Sequence, residues 1–267
     1  MISKKPLYIL QLTDFHLFCD TQTKLLRLNP YDTLTTIFEK LIIEFQTKEP
    51  ALILFTGDIS QDYTTASYEL IKELCSHPLP YQAAVIPGNH DVPEMLYSIL
   101  GHFSKKLFTL DGWRIILLNT CWPMHVAGLL SNKELLFLEE SLANDPNTPT
   151  LIFLHHQVLS VGSAWLDNLG LKNANDFLTI IDKYQNIKAV ISGHVHQETL
   201  NRRNNVDFIT TPSTSWQFAC HSNIFKLDSL MPGYRWLELY DNGIYKTYVE
   251  RITENQVFIP DLESEGY

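Results

Sequence analysis

The sequence lacks the features of a membrane-spanning or nucleic-acid-binding protein. None of its apolar stretches reaches the length of about 20 residues that crosses a bilayer. Its 20 Lys+Arg against 30 Asp+Glu give a formal net charge of -10, and no basic run is longer than a pair. The Arg202-Arg203 pair is most simply a solvated turn between strands. An acidic chain disfavours a long nucleic acid or an anionic membrane as partner, whereas a small anionic substrate is compatible because bound divalent cations can invert the local field.

Cysteine is scarce and unclustered. The four cysteines show no CxxC spacing: they are Cys19, Cys75, Cys121 and Cys220. This distribution argues against a disulfide framework, and it predicts thiols in a reducing cytoplasm. Residues 1–6 lead directly into a predicted strand without an apolar leader, so we expect no secretory signal and a cytoplasmic location.

The chain also lacks linkers, repeats and low-complexity segments. With 267 residues and 45% hydrophobic content, it can bury the core of one large domain, which we predict to cover residues 1–267. Predicted strands at 7–13, 51–56 and 81–86 alternate with helices at 31–47, at 64–75 and from Pro93. Such a βαβαβα order implies an α/β fold with helices on both faces of a largely parallel sheet.

The second half continues this alternation and then changes. Further strands are predicted at 113–119, 151–154 and 187–192, and further helices at 131–142 and 175–184. Ser131 and Glu134 form a capping box at the start of the first of these helices. After His196, the segments 206–211, 234–240 and 244–252 have the pattern of antiparallel strands joined by turns.

Five of the apolar runs end in residues that bind metals. The polar ends are Asp14-Phe15-His16, Gly57-Asp58, Gly88-Asn89-His90-Asp91, His155-His156 and Gly193-His194-Val195-His196. Ligands of open α/β sheets bind outside the carboxyl ends of the strands. If the five runs are neighbouring strands, their ends therefore converge on one crevice lined with Asp, Asn and His. We interpret this crevice as a metal centre.

Each motif is weak alone, and their combination is strong. An isolated HxH usually marks ordinary histidines, a lone Gly-Asp is usually a turn, and Asp91 is most simply a cap for the helix that starts near Pro93. We expect the D-x-H and H-x-H pairs to project from one face of extended segments. Carboxylate, amide and imidazole donors without thiolate suit Mn, Fe or Zn. Seven such donors are too many for one ion, but they fit two ions that share a carboxylate, as in enzymes that act at phosphorus.

The order D-x-H, G-D, G-N-H-D, H-H and G-H-V-H resembles the calcineurin-like metallophosphoesterase superfamily. Within it, the chain is most similar to the bacterial class III cyclic-nucleotide phosphodiesterases. The similarity extends through Ser163-Ala164-Trp165-Leu166-Asp167, Thr211-Pro212-Ser213-Thr214-Ser215 and Ser264-Glu265-Gly266-Tyr267. It implies a four-layer αββα sandwich with mixed sheets and with metals at the carboxyl ends of the strands.

The resemblance also implies a ligand set and an activity. One metal would be held by Asp14, His16 and His196, a second by Asn89, His155 and His194, and Asp58 would bridge both. The implied reaction is hydrolysis of 3′,5′-cyclic AMP to 5′-AMP by a metal-bridging hydroxide, with His90 protonating the leaving O3′. The substrate would contact His16, Asp58, Asn89, His90 and His196, and the metals would be Fe or Mn, with Zn possible.

One departure concerns the doubled histidine. Members of the superfamily often follow it with proline, whereas this chain continues His155-His156-Gln157-Val158. Either histidine could then be the ligand, and alignment of the first one favours His155.

Other functions fit parts of the pattern. The same metals could cleave 2′,3′-cyclic nucleotides, glycerophosphodiesters or phosphomonoesters, because surrounding loops select the substrate. Candidate loops are 19–26, 122–128 and 163–167. A catalytically silent protein-binding scaffold is a further alternative, although such a protein should have lost ligands. The chain could be a monomer or a homodimer, and Trp216, Phe218 and Trp236 could contribute to an interface or to the core.

Overall fold

A computed structural model of the chain describes residues 5–76, 82–253 and 258–266. The predictions made for residues 1–4, for Tyr81 and for Tyr267 lie outside these residues. The helices are α1 (Pro30–Glu44), α2 (Thr65–Ser76), α3 (Pro93–Leu100), α4 (Asn132–Ala143), α5 (Ala164–Asp167) and α6 (Ala174–Ile181). The strands are β1 (Leu7–Leu12), β2 (Pro50–Thr56), β3 (Ala83–Ile86), β4 (Leu107–Leu110), β5 (Trp113–Leu118), β6 (Thr150–Leu154), β7 (Ile187–Ser192), β8 (Thr199–Arg203), β9 (Val206–Thr210), β10 (Gln217–Phe218), β11 (Leu227–Asp228), β12 (Gly233–Leu239) and β13 (Tyr245–Arg251).

The strands form two large mixed sheets and a small ribbon. The first sheet has the order β13-β12-β1-β2-β3, and the second has the order β4-β5-β6-β7-β9-β8. In the first sheet β1, β2 and β3 are parallel, and β12 and β13 add antiparallel strands at one side. In the second sheet β5, β6, β7 and β9 are parallel, and β4 and β8 are antiparallel edges. Strands β10 and β11 pair with each other.

Three apolar clusters define four layers. Alternate residues of β1 and β2, such as Leu10 and Phe55, pack beneath α1, α2 and α3. Their neighbours, such as Ile9 and Leu54, face Ile115 and Phe153 of the second sheet. The other side of the second sheet packs against α4 and α6. Because successive side chains of a strand point to opposite faces, both sheets are buried on both sides, and the order of layers is αββα.

Local sequence signals start the helices where they were predicted to start. The Asn29 side chain accepts from the amides of Tyr31 and Asp32, and Pro30 occupies the first turn of α1. Asparagine at the cap and proline directly after it are both favourable there. The Ser131 hydroxyl accepts from the Glu134 amide at the start of α4, as the capping box requires.

The four-layer prediction is confirmed, two interpretations made from the residues alone are wrong, and the three aromatic residues for which core and interface were both open lie in the core. There are two sheets rather than one, and each is covered by helices on one face only. Arg202 and Arg203 close strand β8, and the turn follows them at Asn204. The aromatic rings suggested for an interface are buried, since Trp216, Phe218 and Trp236 are at most 3% exposed.

The predictions about cysteines and membrane spans can also be compared with the structure. All four cysteines are free thiols, as predicted. Within the three described ranges, none of the helices combines the length and apolarity needed to cross a bilayer.

Candidate metal centre

The seven predicted ligands lie directly beyond the carboxyl ends of five parallel strands. Asp14 and His16 follow β1, Asp58 follows β2, Asn89 follows β3, His155 follows β6, and His194 and His196 follow β7. All except the half-buried Asn89 are buried. The two sheets therefore bring together, at one edge, residues that are far apart in the chain, such as His16 and His196, which are 180 positions apart.

The backbone is strained at five of these seven positions. The left-handed φ angles are 57° at Asp14, 54° at His16, 52° at Asp58, 66° at His194 and 48° at His196. Non-glycine residues seldom adopt such angles, although Asp and His do so more often than most. Each costs on the order of 1–3 kcal/mol and is typical of functional sites. The expectation of extended D-x-H and H-x-H segments is therefore wrong, because the chain turns at each ligand.

Asp14, His16 and His196 form what we call the first donor group. His196 Nε2 lies 3.3 Å from Asp14 Oδ1 and 3.1 Å from His16 Nε2. His16 Nδ1 lies 2.7 Å from Gln61 Oε1, and His196 Nδ1 lies 2.8 Å from the Trp216 carbonyl oxygen. Because both partners are oxygens, each Nδ1 carries the proton and each Nε2 presents a lone pair. Two lone pairs and a carboxylate at these distances need a proton or a cation between them.

Asn89, His155 and His194 form the second donor group. Asn89 Oδ1, His155 Nε2 and His194 Nε2 are buried and have no hydrogen-bond partner among the described residues. His155 Nδ1 donates to the Thr56 carbonyl oxygen at 2.8 Å, so its Nε2 is the unprotonated atom of the neutral ring. Buried polar atoms without partners are rare in native proteins, and three in one group indicate a site for a cation.

Asp58 lies between the two donor groups. Its Oδ2 is 3.3 Å from His155 Nε2 and 3.9 Å from His16 Nε2. Its Oδ1 accepts the backbone N–H of His90 at 2.8 Å. The carboxylate is therefore held in an orientation from which one oxygen faces a histidine of each group.

Electrostatics keep most of the site in the protonation state that binds metals. Burial would raise the pKa of Asp14 and Asp58, but neighbouring histidines outweigh this effect and lower both values. Burial lowers the pKa of His16 to about 3 and that of His194 well below its usual value. His155 is the exception: burial would lower its pKa, but Asp58 and then Asp14 raise it to about 9. Ionised carboxylates and neutral imidazoles are the ligand forms of these side chains.

Two glycines of the motifs leave room for the ligands. A Cβ on Gly88 would lie 2.5 Å from the Asp58 amide nitrogen, and a Cβ on Gly193 would lie 2.5 Å from Asp14 Oδ2. No real Cβ makes such contacts without displacing its neighbour. These glycines are therefore required by the close approach of each backbone to a carboxylate.

The doubled histidine has two different environments. His156 Nδ1 lies 2.7 Å from Thr120 Oγ1, and its Nε2 lies 3.0 Å from the Val126 carbonyl oxygen. Although His156 is near enough to group with His155 and His194, both of its nitrogens are thus engaged by the protein. His155 keeps Nε2 available, so the geometry favours His155 as the donor.

Asp91 does not cap helix α3, contrary to the sequence interpretation. Its carboxylate accepts from the amides of Ile59 at 3.0 Å, Ser60 at 3.0 Å and Gly88 at 2.9 Å. The cap residue is Val92, which makes no side-chain cap bond. Asp91 thus ties the loop after β2 to the loop after β3. Burial raises its pKa to about 6.

His90 lies at the rim of the centre. Its ring centroid is 5.0 Å from that of His16 and 6.4 Å from that of Tyr63, whose ring is nearly parallel to it. The ring is half-buried. It lines an open cavity of about 230 Å³ together with Asp58, Asn89 and His194.

Sequence reasoning missed the residues that orient the ligands. Gln61 contacts His16 Nδ1, and the Ser213 hydroxyl donates to the Asp14 carbonyl oxygen at 2.7 Å. Such partners fix the direction of a ligand and are part of a metal site. The segment 211–215 was noted as part of the resemblance, which is the one signal that pointed to Ser213. Nothing in the sequence distinguishes Gln61 from a surface glutamine.

The donor set fits two divalent cations. Among the described residues, groups that could hold an ion include Asp14 with His16 and His196, and Asp14 with Asp58 and His155. The atoms are carboxylate oxygens, an amide oxygen and imidazole nitrogens, which suit Mn, Fe or Zn. The crowded lone pairs of the first donor group and the unpartnered atoms of the second are what such ions would satisfy.

Comparison with known families identifies the class of protein. The model of the calcineurin-like phosphoesterase family matches residues 7–198. This stretch includes all seven predicted ligands and His90. The chain belongs to the calcineurin-like phosphoesterase family, whose members use a dinuclear metal centre.

Several characterised relatives are similar over nearly the whole chain. The 3′,5′-cyclic adenosine monophosphate phosphodiesterase CpdA of Escherichia coli is 37% identical over 264 residues, which are 97% of this chain and 94% of that protein. CpdA of Vibrio vulnificus is 36% identical, and the match covers 100% of this chain and 97% of that protein. A 3′,5′-cyclic-nucleotide phosphodiesterase of Nostoc is 38% identical, with 94% and 95% covered.

Solved structures support the fold. A dimetal phosphatase of Danio rerio superimposes with a TM-score of 0.65 at 13% identity, over 94% of this chain and 100% of that one. GAP50, described as the anchor in the inner membrane complex of Plasmodium, also superimposes with a TM-score of 0.65. It is 15% identical, and the match covers 98% of this chain and 90% of that one. An enzyme and an anchor thus share this architecture, so function depends on the site and not on the fold.

Proposed function

We propose that this chain is a two-metal phosphodiesterase that hydrolyses 3′,5′-cyclic AMP to 5′-AMP. The observation that carries the proposal is the second donor group, whose three donor atoms are buried without hydrogen-bond partners. Such atoms destabilise a protein unless something binds them. The names of the relatives that align over nearly the whole chain supply the substrate.

In this proposal the first donor group would hold one metal, the second donor group would hold the other, and Asp58 would be the ligand that both share. Fe or Mn is the preferred pair, since the donors are mixed oxygen and nitrogen without thiolate. His155, and not His156, is assigned to the second metal because His156 has both nitrogens engaged by Thr120 and Val126.

The reaction needs a nucleophile at phosphorus and a proton for the leaving oxygen. Bound divalent metals supply Lewis-acid polarisation of the phosphate and lower the pKa of a water at the site. The cyclic phosphate would lie against His16, Asp58, Asn89, His90 and His196. Water forms a bond to phosphorus and releases one proton to solvent, the bond from phosphorus to O3′ breaks, and His90 donates to O3′ a proton that it regains from solvent. His90 suits this role because its backbone is fixed by Asp58 while its ring faces the cavity.

Two alternatives are less well supported. A silent scaffold has no reason to keep seven converging donors, five of them with strained backbones, since strain that serves no function is a cost. Other phosphodiesters or phosphomonoesters would use the same metals, and the apolar wall of the cavity favours a substrate that has an apolar or aromatic part.

We also propose that residues 1–267 act as one domain in the cytoplasm. Strands β12 and β13 come after the last metal motif and complete the first sheet beside β1, so the motifs do not form a separate unit. Four free cysteines suit a reducing compartment.

The test is hydrolysis of 3′,5′-cyclic AMP by the purified protein loaded with Mn²⁺ or Fe²⁺. Products are separated by chromatography, an aryl phosphodiester is assayed in parallel, and Asn89→Ala serves as the blank. The proposal predicts metal-dependent 5′-AMP well above the blank. Cleavage of the aryl diester alone would retain the two-metal site and refute the substrate. No cleavage of either, with metal bound, would favour the scaffold.

A further inference from the structure

An aromatic wall borders the candidate metal centre. Beyond Asp58, Asn89, His90 and His194, the cavity of about 230 Å³ is lined by apolar residues. These are Val126, Trp165, Leu166, Leu169, Phe218, Phe225 and Gly266. No lysine or arginine is among the described residues that line it.

The wall is continuous with the metal ligands. Phe218 stacks on His196, with 4.4 Å between ring centroids and 21° between ring planes. Trp165 packs edge-on against Phe218 at 5.0 Å and against Phe225 at 5.5 Å. Phe218 is 3% exposed, so it supports the wall by packing behind Trp165. Trp165 is half-buried and exposes part of its ring to the cavity. Phe225 is half-buried as well, so Trp165 and Phe225 are the aromatic residues of the wall that a ligand can reach, and Trp165 has the larger ring.

Two buried glutamines fix this wall to the ligand strands. Gln157, the residue after His156, donates from Nε2 to the Leu166 carbonyl oxygen at 2.8 Å. Gln197, the residue after His196, donates from Nε2 to the Ser163 hydroxyl at 3.2 Å. Both bonds end on the segment that carries Trp165. The position of the indole ring is thus set by the same strand ends that position the donor groups.

We propose that the aromatic wall binds the purine base of the cyclic nucleotide and that Trp165 determines specificity by stacking on it. This inference rests on the proposed function. A base attached to a cyclic phosphate must lie beside the phosphorus site, and the wall is the apolar part of the same cavity. Stacking on an aromatic side chain suits any planar base and needs no charge. The wall therefore selects for substrates with a base and does not by itself distinguish adenine from guanine.

The competing occupant of an aromatic pocket is a quaternary ammonium group, as in glycerophosphocholine. Such cations are bound by the faces of several rings. Here Phe218 directs one face to His196 and meets Trp165 and Phe225 at steep angles of 81° and 68°. The two accessible rings, Trp165 and Phe225, do not supply the several enclosing faces that a compact cation needs, whereas one ring is enough for a flat base to stack on.

The experiment compares two substrates that share the scissile bond. The first is 3′,5′-cyclic AMP, and the second is 1-deoxyribose 3′,5′-cyclic phosphate, which has the same cyclic diester and no base. The metal-loaded wild type is compared with Trp165→Ala, Trp165→Leu and Trp165→Phe. Tyr240→Ala is the matched control, because Tyr240 is a half-buried aromatic residue that bonds Glu238 and does not line the cavity. A second readout is calorimetric binding of 5′-AMP and of ribose 5-phosphate.

The proposal predicts a selective effect. In Trp165→Ala, the kcat/KM ratio of cyclic AMP to the base-free diester should fall by about tenfold or more, mainly through KM, since stacking is worth roughly 1–3 kcal/mol per base. Trp165→Leu should behave like Trp165→Ala, Trp165→Phe should recover most of the ratio, and Tyr240→Ala should not change it. Binding of 5′-AMP should weaken more than that of ribose 5-phosphate.

Other results would contradict the base pocket. If the wild type hydrolyses cyclic AMP and Trp165→Ala lowers kcat/KM equally for cyclic AMP and for the base-free diester, only the base pocket is wrong. If the protein cleaves glycerophosphocholine, and if Trp165→Ala lowers kcat/KM for this substrate more than for cyclic AMP, the wall binds a cation. If the wild type cleaves the base-free diester and not cyclic AMP, the proposed function fails, and the base pocket fails with it. The Leu and Phe variants keep the test valid if Trp165→Ala does not fold.

Discussion

The first and second donor groups differ in how their buried donor atoms are satisfied when no metal is bound. In the first, His16, Asp14 and His196 lie within 3.3 Å of one another through His196 Nε2, so one shared proton can hold the group together without metal. In the second, Asn89 Oδ1 and His194 Nε2 have no hydrogen-bond partner among the residues described, and His155 Nε2 faces Asp58 Oδ2 at 3.3 Å rather than another member of its group. The difference teaches that a binuclear site can be half assembled by the protein, while the other half depends on its cation.

The largest effect is expected from Asp58, which lies between the two groups. Asp58→Ala should lose both metals, and activity should fall at least about a thousandfold, because a two-metal clamp is worth several kcal/mol and each step of about 1.36 kcal/mol is tenfold in rate. Elemental analysis and initial rates measure the two effects. Asp62→Ala is the matched control, since Asp62 accepts from Cys19 and Thr64 outside the donor groups. Two metals retained in Asp58→Ala would mean that the carboxylate does not bridge.

A large effect on turnover without loss of metal is expected from His90, which belongs to neither group. His90→Ala should lower kcat for cyclic AMP by roughly 10²–10⁴, the range typical of a general acid, with two metals still bound. The kcat for an aryl phosphodiester, whose leaving group needs no proton, should fall much less. His125→Ala, an exposed histidine stacked on Trp122, is the control. Loss of metal, or equal losses on both substrates, would refute the acid role.

A smaller effect is expected when only the first donor group is disturbed. In Gly193→Ala the new Cβ would lie 2.5 Å from Asp14 Oδ2 and must displace it. Affinity for the first metal should fall by about 10–100-fold, as for other changes that misdirect a ligand, while the second metal stays. Gly101→Ala is the control, because its Cβ would meet nothing within 4 Å and the protein should be as stable or slightly more so. Equal weakening of both metals would show that the groups are not separable.

The smallest effect compares the groups directly in metal-free protein. His196→Ala and His194→Ala remove the same buried ring, but His196 also bonds the Trp216 carbonyl oxygen and stacks on Phe218. The free energy of unfolding should therefore be lower in His196→Ala by about 1–2 kcal/mol, the contribution of a buried hydrogen bond and its packing. Urea denaturation in the presence of a chelator measures it. If His196→Ala is as stable as His194→Ala, or more stable, the metal-free protein does not hold the first donor group together better than the second.

The seven candidate ligands could be picked out of the sequence because each stands where an apolar run stops. A buried strand and the polar residue that follows it are both visible in one sequence, and five such junctions define one edge of an α/β fold. The edge strands β4 and β8 were missed because they are short and partly exposed. The split into two sheets came from the family resemblance, since the alternation of strands and helices alone predicts one.

The geometry around the ligands could not be predicted in the same way. Asp91 has the local signal of a helix cap, but residues about 30 positions away supply two of its three amide partners. The left-handed angles at Asp14 and His194 are imposed by tertiary contacts such as the bond from the His194 amide to Asp14. Phe218 was expected in the core or at an interface, and it is buried while also forming the wall of the cavity.

The most direct test of the two-metal account is a titration of metal-free protein with Mn²⁺, followed by calorimetry and by formation of 5′-AMP from cyclic AMP. The account predicts two bound ions per chain, with activity rising only as the second donor group fills. Asn89→Ala should bind one ion and form no 5′-AMP above background. Full activity with one ion, or two tightly bound ions in Asn89→Ala, would contradict it.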